Sequence, residues 1–77
     1  MAIDNDRNRV LLSLRDRPEG VENSSLIEAL GLSGEAVERH LLYCMDYGLA
    51  TWTRNRKASR QAVITTQGRD YLVRQGL

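Results

Sequence analysis

Four cations and no acid fall within seven residues of the stretch TWTRNRKASRQAVITT, residues 51–66: Arg54, Arg56, Lys57 and Arg60. Guanidinium and ammonium groups clustered without a carboxylate have the chemistry that neutralises phosphates. β-Branched and aromatic residues on either side read as two short strands around a turn, so the cations sit on or beside a hairpin tip. Trp52 within the first run either packs the hairpin onto the preceding helix or lies exposed beside Arg54 and stacks on a sugar or base. Groups for catalysis are few. His40 and Cys44 are the only histidine and cysteine. Their i, i+4 spacing can pair two metal ligands, but no second pair completes a tetrahedron, and both belong to the apolar side of a helix. An enzyme reading fails on this inventory; no metal and no cofactor are expected. His40 reads as a partly buried residue and Cys44 as a small apolar filler.

Charge is segregated along the chain, although the net is only +1. Residues 1–17 balance four Arg against three Asp; residues 18–33 carry only Glu19, Glu22 and Glu28. Residues 34–48 set Arg39 against Glu35, Glu38 and Asp46, whereas residues 49–65 are purely cationic. One edge of the molecule is thereby suited to polyanions and another is not.

The elements that must carry these residues can be read from the apolar period. Seventy-seven residues, 42% of them hydrophobic, make one small domain over residues 1–77 with a modest core of Leu, Val and Ile, since Phe is absent. The core is expected from Val10, Leu11, Leu14, Leu26, Leu30, Val37, Leu41, Cys44, Leu49, Ile64 and Leu72. Ile3, Val10, Leu11 and Leu14 predict an amphipathic helix over 4–17, capped by Asp4 and stopped by Pro18. Val21, between Gly20 and Glu22, is placed to add one short strand residue. NSSLIEALG predicts a second helix, with Ser25 and Glu28 as a capping box, Asn23 as a competing cap and Gly31 at the left-handed C-terminal position. Ser33 caps a third, GEAVERHLLYCMDYG, ended by Gly48. Two helices joined so tightly spell helix-turn-helix, over about 24–47. The hairpin follows over about 49–65, and Thr65 caps a last helix whose Tyr71, Leu72 and Leu77 pack inward. A single cysteine excludes an intramolecular disulfide and points to a reducing compartment. No apolar run approaches the ~18 residues of a membrane span, and MAIDNDRNRV lacks the apolar stretch of a signal peptide, so a cytoplasmic location away from membranes is expected.

LIEALGLSGEAVERHLLYCMDYGLA and ITTQG, in that order and at a spacing that suits a wing of ordinary length, resemble the winged helix-turn-helix superfamily of transcription regulators, MarR-type and related small regulators among them. The first is similar to a helix-turn-recognition helix running into the "GL" that opens a wing, and ITTQG is similar to the "LTxxG" that closes one. The resemblance implies an α+β fold: a three-helix core, a β-hairpin wing and a C-terminal helix. It also implies a DNA-binding regulator whose third helix enters the major groove of double-stranded DNA.

At about 100° per residue, Val37, His40, Leu41, Cys44 and Tyr47 share the core side of the third helix. Glu35, Glu38, Arg39, Leu42 and Asp46 share the other, with Tyr43 at its edge. Arg39 can pair with guanine, Glu35 and Glu38 can accept from a cytosine amino group, and Leu42 can touch a thymine methyl. Acids on that face weaken non-specific binding, so affinity must come from the wing cations, from Arg7 and Arg9, and from amides at the helix starts near Ser25 and Ser33. A protein-interaction module is the rival reading, with Leu42 as an apolar anchor in a charged rim. Tyr71, Val73 and Leu77 offer more apolar area than one helix buries, so weak homodimerisation is expected.

Overall fold

A computed structural model describes residues 2–54, 57 and 59–77, with side chains from residue 5 onward. Four helices and a hairpin succeed one another: α1 (Ala2–Asp16), α2 (Asn23–Leu30), α3 (Gly34–Asp46), β1 (Ala50–Arg54), β2 (Arg60–Ile64) and α4 (Thr66–Arg74). The class is α+β, as the sequence predicts.

Capping explains most boundaries. Gly31 ends α2 at φ 67°, and its N–H reaches back to the Ile27 carbonyl. Ser33 Oγ accepts from the Ala36 N–H at 3.1 Å and starts α3. Thr65 Oγ1 accepts from the Gly68 N–H at 3.0 Å and donates to the Gly48 carbonyl at 2.6 Å, so one hydroxyl caps α4 and ties it to the end of α3. Two expected caps fall elsewhere. Helix α1 starts at Ala2, ahead of Asp4, whose side chain lies outside the described residues. Helix α2 starts at Asn23 behind an extended Glu22 that makes no side-chain cap. Ser25 is thus inside the helix, and its N–H already donates to the Glu22 carbonyl at 3.0 Å, so the capping box does not form.

Strands β1 and β2 pair antiparallel, with Trp52 opposite Ala62 and Arg54 opposite Arg60. Val21 forms an isolated bridge to Ala62 through N–H···O bonds of 2.9 and 2.8 Å. That residue is the short strand element expected before α2, and it fastens the α1–α2 connection to the hairpin.

The core lies among α1, α2, α3, the base of the hairpin and α4. Val10, Leu11, Leu14, Leu26, Val37, Leu41, Cys44, Ile64 and Leu72 are buried as expected. Leu30 and Leu49 are only half-buried against it. Val21, Ala50 and Ala62 are buried in addition, where the Val21 bridge and the hairpin base join the core. Tyr47, expected on the core side, is 63% exposed. It occupies the C-cap of α3, where the chain leaves the helix, and Leu49 packs against the core just beyond it.

Gly68 explains the wing-closing motif. A Cβ there would overlap the Leu49 carbonyl oxygen and come within 2.6 Å of Ile64 Cγ1. The first turn of α4 therefore presses directly on the chain entering β1, and only glycine permits that approach.

Candidate nucleic-acid interface

The N-terminal half of α3 presents Glu35 and Arg39 to solvent, with the Ser33 cap holding the helix start beside them. Leu42, 48% exposed, and Asp46 continue this face toward the C-terminus. Its edge toward α1 carries ring contacts. Tyr43 lies under the Arg7 guanidinium, whose carbon is 3.8 Å from the ring centroid, and beside Tyr47, 4.6 Å away between centroids. Two rings and a cation thus build a ridge from α1 to the end of α3.

Glu38 belongs to a second cluster. Asn23 Nδ2 donates to its Oε1 at 2.8 Å, and Arg60 Nη2 lies 3.7 Å from its Oε2. The Arg60 guanidinium in turn sits over Trp52, 3.9 Å from the ring centroid. Helix α2, helix α3 and the wing therefore meet at one carboxylate. Half-buried Trp52 packs against the core, the first of its two expected placements, and carries Arg60 on its ring.

Among the other cations, Arg54 and Lys57 are exposed on the hairpin, and Arg54 shares the Trp52–Arg60 face by register. Arg56 lies outside the described residues. Arg9 pairs with Asp6 at 3.2 Å and donates to the Leu30 carbonyl at 3.0 Å, where α2 has no basic residue in its last turn. Arg7 and Arg9, expected at phosphates, thus have partners within the fold. Ser25 lines the α1–α2 side with Ser13, Arg17 and Ala29, away from the α3–wing cluster.

Asn23 carries no sequence signal beyond that of a cap, and nothing local links Glu38 to Arg60. For Trp52 and Arg60 the signal was present in part: Arg60 falls diagonally across the strands from Trp52 once the register is known.

His40 and Cys44 are buried on the inner side of α3. Burial holds the His40 imidazole below its ordinary value of 6.5; Asp6 opposes this, while Arg7 and Arg39 add to it. Burial pushes the Cys44 thiol up to about 11, against a smaller opposing effect of Arg7, so the thiolate is suppressed at neutral pH. Among the described residues no group of three or more His, Cys, Asp or Glu can hold a metal ion, and no helix is long and apolar enough to cross a membrane.

No family model matches the chain, and no curated protein matches it in sequence. Solved structures do. MepR, a transcription regulator of a multidrug efflux pump in Staphylococcus aureus, superposes with a TM-score of 0.83 at 18% identity, covering 91% of this chain and 53% of its own. A MepR variant bound to an oligodeoxyribonucleotide gives 0.82 at 18% identity over 90% and 52%. A MarR-family transcriptional regulator from Rhodococcus gives 0.81 at 19% identity over 88% and 49%. The chain spans about half the length of these structures. It has the winged helix-turn-helix fold that they share.

Proposed function

We propose that this protein is a sequence-selective binder of double-stranded DNA and a small transcription regulator, with α3 reading bases and the wing supplying phosphate affinity. The observation that carries the reading is the contact between Glu38 of α3 and Arg60 of β2. It brings the tip end of the hairpin, where Arg60 pairs with Arg54, beside the flank of the third helix, which supports reading Arg39 and Leu42 on α3 together with Arg54 and Lys57 on the hairpin. A helix with base-reading residues beside a cationic hairpin suits a groove with its flanking backbone. The MepR variant bound to an oligodeoxyribonucleotide shares the fold and lends the reading support. Arg56 is assigned to the same wing by sequence. The amides at the α3 start, beside Ser33, supply a further phosphate contact.

Electrophoretic mobility with random duplex DNA at two salt concentrations tests this. Each phosphate neutralised contributes about 0.9 to the slope of log affinity against log salt, so replacing both Arg54 and Lys57 by Ala should flatten that slope by about two. Binding should weaken for all sequences alike.

A second reading rests on the α3 surface itself. Leu42, Tyr43 and Tyr47 are exposed at 48%, 38% and 63%, with Glu35 and Asp46 nearby, a pattern suited to docking a protein partner. If duplex binding is absent at low salt and the double Ala variant behaves like wild type, this reading replaces the first.

A further inference from the structure

The Glu38–Arg60–Trp52 cluster has a property that neither base readout nor phosphate affinity requires. A carboxylate presents two oxygens to a guanidinium much as a phosphate does. Here one oxygen of Glu38 is fixed by Asn23 at 2.8 Å, and the other faces Arg60 at 3.7 Å. The ion pair is long, and its side chains are 49% and 38% exposed, so a stronger anion can exchange into it. Trp52 supports Arg60 at 3.9 Å from its ring centroid, giving the guanidinium a platform that does not depend on Glu38. Arg54, opposite Arg60 in the strand register, adds a like charge that favours an incoming anion.

We propose that Glu38 is an internal stand-in for a DNA phosphate, occupying Arg60 on the Trp52 platform until the backbone of a duplex displaces it. The proposal rests on the DNA-binding reading and gives it a discriminating element. Non-specific duplex must replace an anion already in place, so its binding is weakened. A cognate site, which adds contacts along α3, bears the exchange. The acid within the helix-turn-helix is then a brake on indiscriminate binding.

The sole tryptophan of the chain is Trp52, so its emission reports directly on what sits over the ring. Three proteins suffice: wild type, Glu38→Gln, and Glu35→Gln, which removes the same charge from an exposed position on the same helix. Each is titrated with random duplex DNA and, separately, with tripolyphosphate. Glu38→Gln should bind random duplex three- to tenfold more tightly, with a salt slope steeper by up to about 0.9, because no carboxylate is left to recruit a cation when Arg60 is taken. Its Trp52 emission should differ from wild type before any ligand is added, and tripolyphosphate should shift it at lower concentration than in wild type. Glu35→Gln should leave the unliganded emission and the tripolyphosphate midpoint as in wild type.

Equal effects of the two Gln variants on emission and affinity would overturn the proposal in favour of general electrostatics. So would a Trp52 emission indifferent to tripolyphosphate in all three proteins. If no protein binds duplex, the functional reading falls, and the tripolyphosphate titration alone decides whether the anion exchange at Arg60 exists.

Discussion

Arg9 of α1 donates through Nη2 to the carbonyl of Leu30, 3.0 Å away, at the end of α2. The two residues are remote in sequence, and the contact places a positive charge where α2 exposes its last carbonyls, the negative end of its dipole. Asp6 holds the same guanidinium through Nη1 at 3.2 Å. Arg9 therefore orients the first helix of the helix-turn-helix. Arg9→Ala should lower stability by about 1 kcal/mol, which for a domain of this size is a drop of roughly 4–8 °C in Tm. The salt slope of duplex binding should stay at its wild-type value. A variant that melts normally but binds with a shallower slope would make Arg9 a phosphate contact instead.

Two glycines make a paired prediction. Gly68→Ala drives a methyl into the Leu49 carbonyl oxygen and Ile64, and backbone cannot move aside as a flexible side chain can, so a loss of about 2 kcal/mol or more is expected. Gly31→Ala meets nothing within 4 Å but must hold φ 67°, at a cost of about 1–2 kcal/mol. Thermal melts should rank wild type, then Gly31→Ala, then Gly68→Ala. The reverse order of the two variants would refute the close packing of α4 on the wing.

Local signals in the chain were reliable where a residue acts on its own neighbourhood. Ser33, Gly31 and Thr65 mark the ends of helices because each satisfies backbone groups within a few positions. The periodic leucines and valines identified most of the core. Contacts made across the fold were not legible. Asn23 looks like a cap but bonds Glu38, and the cover that Arg7 gives Tyr43 has no local signal. Both depend on how α1, α2 and α3 cross, which no local pattern encodes. Ala50 and Ala62 lie in the core through the strand register and the Val21 bridge, which the period of the large apolar residues does not mark.

Stability should fall on mild acidification, through His40. Its folded pKa lies below 6.5, so the unfolded chain binds the proton more readily. The stabilisation is complete above about 6.5 and is lost as pH falls through the lowered folded value. His40 is the only histidine, so the difference in Tm between pH 7 and 5.5 is to be compared in wild type and in a variant lacking that ring. His40→Gln should flatten the dependence even if its Tm is lower throughout. An unchanged slope in the variant would exclude His40 as its source.

Helix α4 should mediate weak self-association. Val73 is 74% exposed and Leu77 46%, while Tyr71 turns inward and its hydroxyl donates to Asn8 of α1 at 2.8 Å. The apolar surface left for a second copy is thus Val73 and Leu77 without Tyr71. Two copies on a palindromic site would gain affinity without new contacts to DNA. Sedimentation velocity should show concentration dependence in the high micromolar range, abolished by Val73→Glu. A clean monomer in wild type at those concentrations would dismiss the dimer.

Selectivity, finally, should reside in Arg39. It is exposed on the outer face of α3, one turn beyond the exposed Glu35, with Leu42 following on the same side. Glu38, the acid next to it in sequence, is turned toward Asn23 and Arg60, which leaves Arg39 and Glu35 as the charged groups at the helix start able to meet base edges. An arginine in that position can donate two hydrogen bonds to guanine O6 and N7, a contact that alanine cannot replace. Arg39→Ala should therefore relax preference at one base pair by about 1–3 kcal/mol while leaving affinity for random duplex nearly unchanged. The wing variant lacking Arg54 and Lys57 should do the opposite, weakening every sequence by the same factor. Competition among duplexes from a selected pool, each changed at a single base pair, separates the two behaviours. If Arg39→Ala weakens all duplexes equally, Arg39 contacts backbone, and α3 does not read sequence through it.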